Sequence, residues 1–232
     1  MLSMLLQNGT NISIADAVIY VISAVIVVFL TMPVHEYAHA RIAVALGDNT
    51  PRYMGRLSLN PFNHIDWLGA ISILLVGIGW AKPVNVNTRN FKNPKLYMAA
   101  VAAAGPVSNL LLALGSLLIH NILMYFALSA AITALLFIAQ IFLHIAVINI
   151  SLAVFNLIPV PPFDGSRIIS ICLPDKIYYS IMKYEQILLY VILAVVYTGV
   201  LDKPLEYANA TILTFLDSIA ILPFRLFGLI NF

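Results

Sequence analysis

The segment His35-Glu36-Tyr37-Ala38-His39 sets two imidazoles four residues apart with a carboxylate beside the first. On a helix, positions i and i+4 share a face, so both rings reach one metal ion while Glu36 faces a water at the open coordination position. That arrangement suits hydrolysis, in which a divalent ion acidifies the water and a carboxylate takes its proton. Catalytic zinc generally needs a third protein ligand. The remaining candidates are His64, Asp66, His120, His144, Asp164 and Asp217.

The elements that position these residues are membrane spans. Of the 232 residues, 62% are apolar and only 9% charged, and the mean hydropathy is +0.97. Soluble domains carry roughly 45–50% apolar and about 25% charged residues, so a water-soluble fold is excluded. A net charge of +2 is too small for a phosphate-neutralising surface, so no nucleic-acid partner is expected. The single cysteine, Cys172, excludes a disulfide scaffold.

Met1 to Ile14 lacks Lys and Arg and so lacks the positive region of a cleaved leader. The 18 uncharged residues Ala17 to Val34 span about 27 Å as a helix, close to the hydrocarbon thickness. Leu68 to Ala81, with Gly77 and Gly79, is only 14 residues long and predicts a re-entrant or strand-forming segment. Leu96 to Phe163 holds 68 residues without one Asp, Glu, Lys or Arg. Basic loops on both flanks require an even number of crossings, hence two spans turning between His120 and Ala130. Gln186 to Leu201 and Tyr207 to Ile230 predict a final hairpin. With the N-terminus outside, this topology puts 11 of the 12 Lys and Arg on the cytoplasmic side. The expectation is an all-α polytopic membrane protein of about five to six spans, with a β or re-entrant region between the first two core helices.

Depth selects the third ligand. Glu36 lies 20 residues beyond Asp16, about 30 Å along a helix, which places the site in the bilayer near its cytoplasmic edge. Pro33 bends the helix one turn before the ligands. His120, His144 and Asp217 lie too far from that edge. Asp164 follows the second returning span at the right depth, in Asn156-Leu-Ile-Pro-Val-Pro-Pro-Phe-Asp164-Gly165, where prolines stop the helix and Gly165 permits close approach. Its alternative role is a helix cap for Ser166 onward. His64 and Asp66 read as anchors of an interfacial loop, and Asp217 as the partner of a serine or of Arg225.

Three motifs in order, His35-Glu36-x-x-His39, Gly105-Pro106-x-x-Asn109 and Asn156-x-x-Pro159 leading to Asp164-Gly165, resemble those of the site-2 protease family of intramembrane zinc metalloproteases, peptidase family M50. The likeness covers roughly residues 14–170 and is to the small prokaryotic form without PDZ or CBS domains. Phe163 stands where that family usually has leucine. The resemblance implies one zinc held by His35, His39 and Asp164, with Glu36 as the acid–base group. It implies that Asn109 and Asn156 polarise the scissile carbonyl or hold substrate backbone, against an alternative of interhelical hydrogen bonds. It also implies a membrane-embedded β region over Gly55 to Asn93, whose edge at Gly77-Ile-Gly79 pairs with unwound substrate.

The expected protein is therefore one membrane-embedded peptidase domain over 1–232, with a core about 14–170 and a helical hairpin about 171–232. It would cleave a transmembrane protein substrate in or near its membrane helix, in a multi-pass cell-membrane protein with its site near the cytoplasmic face. A non-proteolytic metal-binding protein or metal transporter is the alternative, and Glu36→Gln separates the two.

Overall fold

The structure, a computed structural model, describes residues 14–76 and 81–226. Helix α1 (Ile14–Ala45) runs without a break through the first apolar stretch and on past both histidines. Its middle, Val27–Thr31, is a π turn in which the Met32 N–H bonds to the Val27 carbonyl, five residues back. Pro33 follows directly and has no N–H to offer the preceding turn, so the helix changes its hydrogen-bond register just before the ligands.

Helix α2 (Thr50–Tyr53) leads through a short turn at Pro61–Asn63 into α3 (Trp67–Val76). The Asp66 carboxylate caps α3 by accepting from the N–H groups of Leu68 and Gly69 at 3.0 and 3.1 Å. The chain then returns to its starting level. Ala81 pairs with Ile65 in an isolated antiparallel bridge, and the Lys82 N–H donates to the His64 carbonyl at 2.8 Å. Ile65 and Ala81 pack on Ala24, Val28 and Met32 of α1. Among the described residues the region forms this bridge and no strand. Gly77 and Gly79 lie outside the described residues.

Helices α4 (Pro94–Ala130) and α5 (Thr133–Asn156) are the two spans of the charge-free stretch. The sequence predicts their turn between His120 and Ala130; the structure puts it just beyond, at Ala131 and Ile132, with Ala131 in the left-handed region at φ 53°. No glycine or proline marks that stop, so the sequence carries no local signal for it. At 37 residues α4 is about 55 Å long, more than a hydrocarbon core needs. Short helix α6 (Asp164–Ile169) precedes α7 (Asp175–Lys183) and α8 (Glu185–Tyr197), which meet at 69°. Helix α9 (Asp202–Leu226) ends the described chain. Among the described residues four helices are long and apolar enough to cross a membrane, or five if α7 and α8 form one bent span, against the five to six that the sequence predicts.

The spans pack on small residues. Ala113, Ala146 and Ala220 are fully buried where α4, α5 and α9 meet. Lipid tails are as apolar as leucine, so close approach rather than hydrophobic burial holds such helices together. Large apolar side chains such as Leu111, Ile119 and Phe126 stay on the outer surface. The partner of Asp217 is neither a serine nor Arg225: Asn121 Nδ2 donates to its Oδ1 at 3.1 Å.

Asp48, just beyond α1, ties the returning segment to the end of the ligand helix. Its fully buried carboxylate accepts from Thr50 N and Oγ1 at 3.1 and 2.6 Å, Asn87 N at 2.8 Å and Asn90 Nδ2 at 2.7 Å. Burial pushes the Asp48 carboxyl up, but the bonds from Thr50, Asn90 and Asn87 outweigh it and hold the group below its ordinary value of 3.8. A depressed folded-state pKa stabilises the protein above 3.8, and that contribution is lost as pH falls through the lower value. Asp48→Ala should cost about 1–3 kcal/mol, because buried donors lose their acceptor. Unfolding followed by circular dichroism at pH 7 and at pH 3 checks this; a deficit that did not shrink at the lower pH would contradict the sign.

Candidate active site

His35 and His39 project from one face of α1 toward α4, and Asp164 approaches from the start of α6. Each His–Asp pair is close: Asp164 Oδ2 lies 3.5 Å from His35 Nε2 and 3.4 Å from His39 Nε2, while the two Nε2 atoms are 3.0 Å apart. All three side chains are mostly buried. Among the described residues these three are the group of His, Cys, Asp and Glu whose ligand atoms converge, all within 4.8 Å of one another.

The sequence positions each ligand by a separate device. The His39 ring donates its Nδ1 hydrogen to the Val101 carbonyl of α4 at 2.7 Å, which leaves Nε2 as the nitrogen with a free lone pair. Gly105, on α4, faces both rings: a Cβ there would overlap His35 Cε1 and Nε2 and His39 Nε2. The backbone of α4 therefore comes within reach of the imidazoles only because residue 105 has no side chain. Gly165 does the same for the carboxylate. A Cβ there would strike the carbonyls of Leu157 and Ile158, so the turn after α5 closes tightly enough to return Asp164 to α1. Asp164 is the first residue of α6 rather than its cap, that position being Phe163.

The residues present fit a metal ion. Asp164 Oδ2 is buried without a hydrogen-bond partner although two ring nitrogens lie within 3.5 Å of it. Three donor atoms on a tetrahedral zinc with bonds of about 2.0–2.1 Å are separated by roughly 3.3–3.4 Å, and the observed separations are 3.0, 3.4 and 3.5 Å. Two imidazoles and a carboxylate are also the donor types that catalytic zinc takes.

Glu36 stands beside this triangle, and its Oε2 accepts from the backbone N–H of Val84 at 3.2 Å. That contact is invisible in the sequence, since a backbone donor has no residue signature. It brings the returning segment Ala81–Asn87 onto the carboxylate. Asn109, one helical turn beyond Gly105 on the same face, is 1% exposed and its Oδ1 has no partner. Asn156 is bonded within its own helix, Nδ2 donating to the Leu152 carbonyl at 2.9 Å. His64 is fully buried, its Nε2 against the Ser58 carbonyl at 2.7 Å, and anchors the loop as the sequence predicts.

Long apolar spans enclosing a His–His–Asp triangle with the Glu36 carboxylate at its side are the arrangement of a membrane metallopeptidase. The model for peptidase family M50 matches residues 23–199, and the chain belongs to that family. It is 38% identical over 161 residues to the Bacillus subtilis (strain 168) protein named "Putative zinc metalloprotease YwhC", an alignment covering 69% of this chain and 74% of that one. No solved structure matches the chain.

Proposed function

We propose that the protein is a zinc-dependent intramembrane endopeptidase that cleaves a membrane-protein substrate in or near a transmembrane helix. The observation that carries this reading is the convergence of His35, His39 and Asp164 beside Glu36, at the end of an apolar span. Ionisable side chains there are costly and are retained for function. The cofactor is zinc, held by His35 Nε2, His39 Nε2 and an Asp164 oxygen. When bound, it supplies Lewis-acid polarisation of the scissile carbonyl and acidifies the attacking water.

The chain's own residues do the rest. Glu36 takes the proton of the attacking water and hands it to the leaving amine, and the Val84 N–H keeps the carboxylate aimed. Asn109 offers its amide to the substrate carbonyl or backbone, and Asn156 lies on the path to Asp164. The substrate presents an extended strand, because a helical peptide bond is sheltered from attack. The edge expected at Gly77 and Gly79 falls outside the described residues, but the segment that follows offers one. The N–H groups of Lys82 and Val84, two residues apart, donate to His64 O and Glu36 Oε2, and from Pro83 to Asn87 the side chains alternate between exposed and half-buried. The outer edge is left for strand pairing.

The re-entrant character expected of Leu68 to Ala81 is supported by the pairing of Ala81 with Ile65 beside α1. The distribution of Lys and Arg supports an N-terminus outside and a site near the cytoplasmic face, in a single peptidase domain over 1–232. The test is reconstitution in proteoliposomes with a single-span substrate protein. Chelator-sensitive cleavage inside the apolar segment, located by mass spectrometry, is expected, with cleavage and bound zinc both lost in Asp164→Ala. Cleavage confined to soluble peptides would overturn the intramembrane reading, and full zinc content in Asp164→Ala would remove the third ligand.

A further inference from the structure

Helix α1 changes hydrogen-bond register at its π turn, one helical turn before His35. π turns are rare and concentrate at functional sites, since they rotate everything that follows relative to everything before. Thr31 closes this one and lies four residues before His35, on the same face. It is 1% exposed, and its Oγ1 accepts from Nδ2 of Asn149 on α5 at 3.2 Å. Asn149 is fully buried, and Nδ2 also donates to the Ile145 carbonyl at 2.8 Å, which fixes the amide's orientation. Its Oδ1 is buried without a partner. An amide kept at that cost between two spans has a positional use that an apolar side chain would not serve.

The two helices joined by this bond carry the two halves of the metal site. α1 carries His35 and His39, and α5 leads through Asn156 into the turn that ends at Asp164. We propose that Asn149 is a positioning residue: its hydrogen bond to Thr31 fastens the π turn to α5 and thereby sets the rotation of the His35–His39 face toward Asp164. The inference rests on the reading that these three residues hold zinc. The bond fastens the segment immediately before the ligands, where a small rotation about the helix axis moves both Nε2 atoms sideways. Val27 and Val28 pack one face of the π turn while Phe29 and Leu30 on its outer face are exposed, and the Asn149 bond is the directional contact that adds to this packing.

The test uses the purified full-length chain in detergent, as Thr31→Val and Asn149→Leu, which keep the number and branching of side-chain heavy atoms and remove the bond, and Thr31→Ser, which keeps the hydroxyl. Zinc affinity is read by competition with a chromophoric chelator, and ligand geometry by the visible absorption of the cobalt-loaded protein. Both apolar variants should bind zinc about 10–100-fold more weakly, with an altered cobalt spectrum and unchanged unfolding of the metal-free protein. Thr31→Ser should match wild type, and the double variant should be no worse than either single one. Wild-type affinity and spectrum in the apolar variants, additive losses in the double variant, or a matching loss of metal-free stability would each overturn the proposal. If Asn149→Leu does not fold, Thr31→Val decides alone. Failure of the functional reading itself gives a different result: zinc affinity in wild type unaffected by Asp164→Ala.

Discussion

Glu36→Gln is expected to abolish turnover, by on the order of 10²–10⁴-fold or more, while leaving zinc content at the wild-type level. The amide has the same shape as the carboxylate, and its oxygen still accepts from the Val84 N–H, so the side chain stays where it is. What it loses is basicity. A neutral amide takes no proton from water and has none to give the leaving amine. Because Glu36 is not among the three converging donors, the metal triangle is undisturbed. Metal analysis on the same purified sample that is assayed in proteoliposomes separates the two properties. Turnover within tenfold of wild type would show that Glu36 is not the proton carrier.

Gly105→Ala should do the reverse of what helix propensity suggests. Alanine is favoured over glycine in a helix interior by about 1 kcal/mol, so α4 itself gains from the change. The new Cβ, however, occupies the space of His35 Cε1 and Nε2 and of His39 Nε2. Side-chain ends yield before helix backbone does, so both imidazoles swing away from Asp164. Zinc affinity should fall by at least about 10–100-fold, the scale on which displaced supporting groups weaken metal sites. Metal-free unfolding should stay at or above wild type. A variant that is both stable and fully zinc-loaded would mean that α4 is farther from the rings than the structure places it.

The placing of His35 and His39 on one helix face, with Glu36 beside them, was legible because they lie within five consecutive residues. A helix converts that spacing into geometry with no help from elsewhere. Asp164 was legible for a different reason: membrane depth is encoded in segment length, and the charge-free run brings the chain back to the level of His35. The same logic gave two spans between Leu96 and Phe163. It misplaced their turn, because Ala131 takes a left-handed conformation with no glycine to announce it.

Leu68 to Ala81 reads from the sequence as re-entrant or strand-forming, two options that a short apolar run does not separate. Among the described residues it holds the helix Trp67–Val76 and, at Ala81, the bridge to Ile65. Asp217 found Asn121, a partner 96 residues away that no local pattern names. The Val84 contact, the Val101 carbonyl and the Asn149–Thr31 bond were all hidden too. Backbone groups are identical at every position, and a buried asparagine reads like any other until its neighbour is known.

What the sequence determined by itself is the chemistry: which side chains are ionisable, how they repeat along a helix, and where each one falls relative to the apolar runs. Periodicity and hydropathy are local quantities, so they are readable one segment at a time. Tertiary structure alone decided how closely the segments approach. Gly105 against two imidazoles, Gly165 against Leu157 and the Val84 amide on Glu36 are contacts between distant parts of the chain, and close packing of helix backbones, rather than any residue pattern, brings them within bonding range.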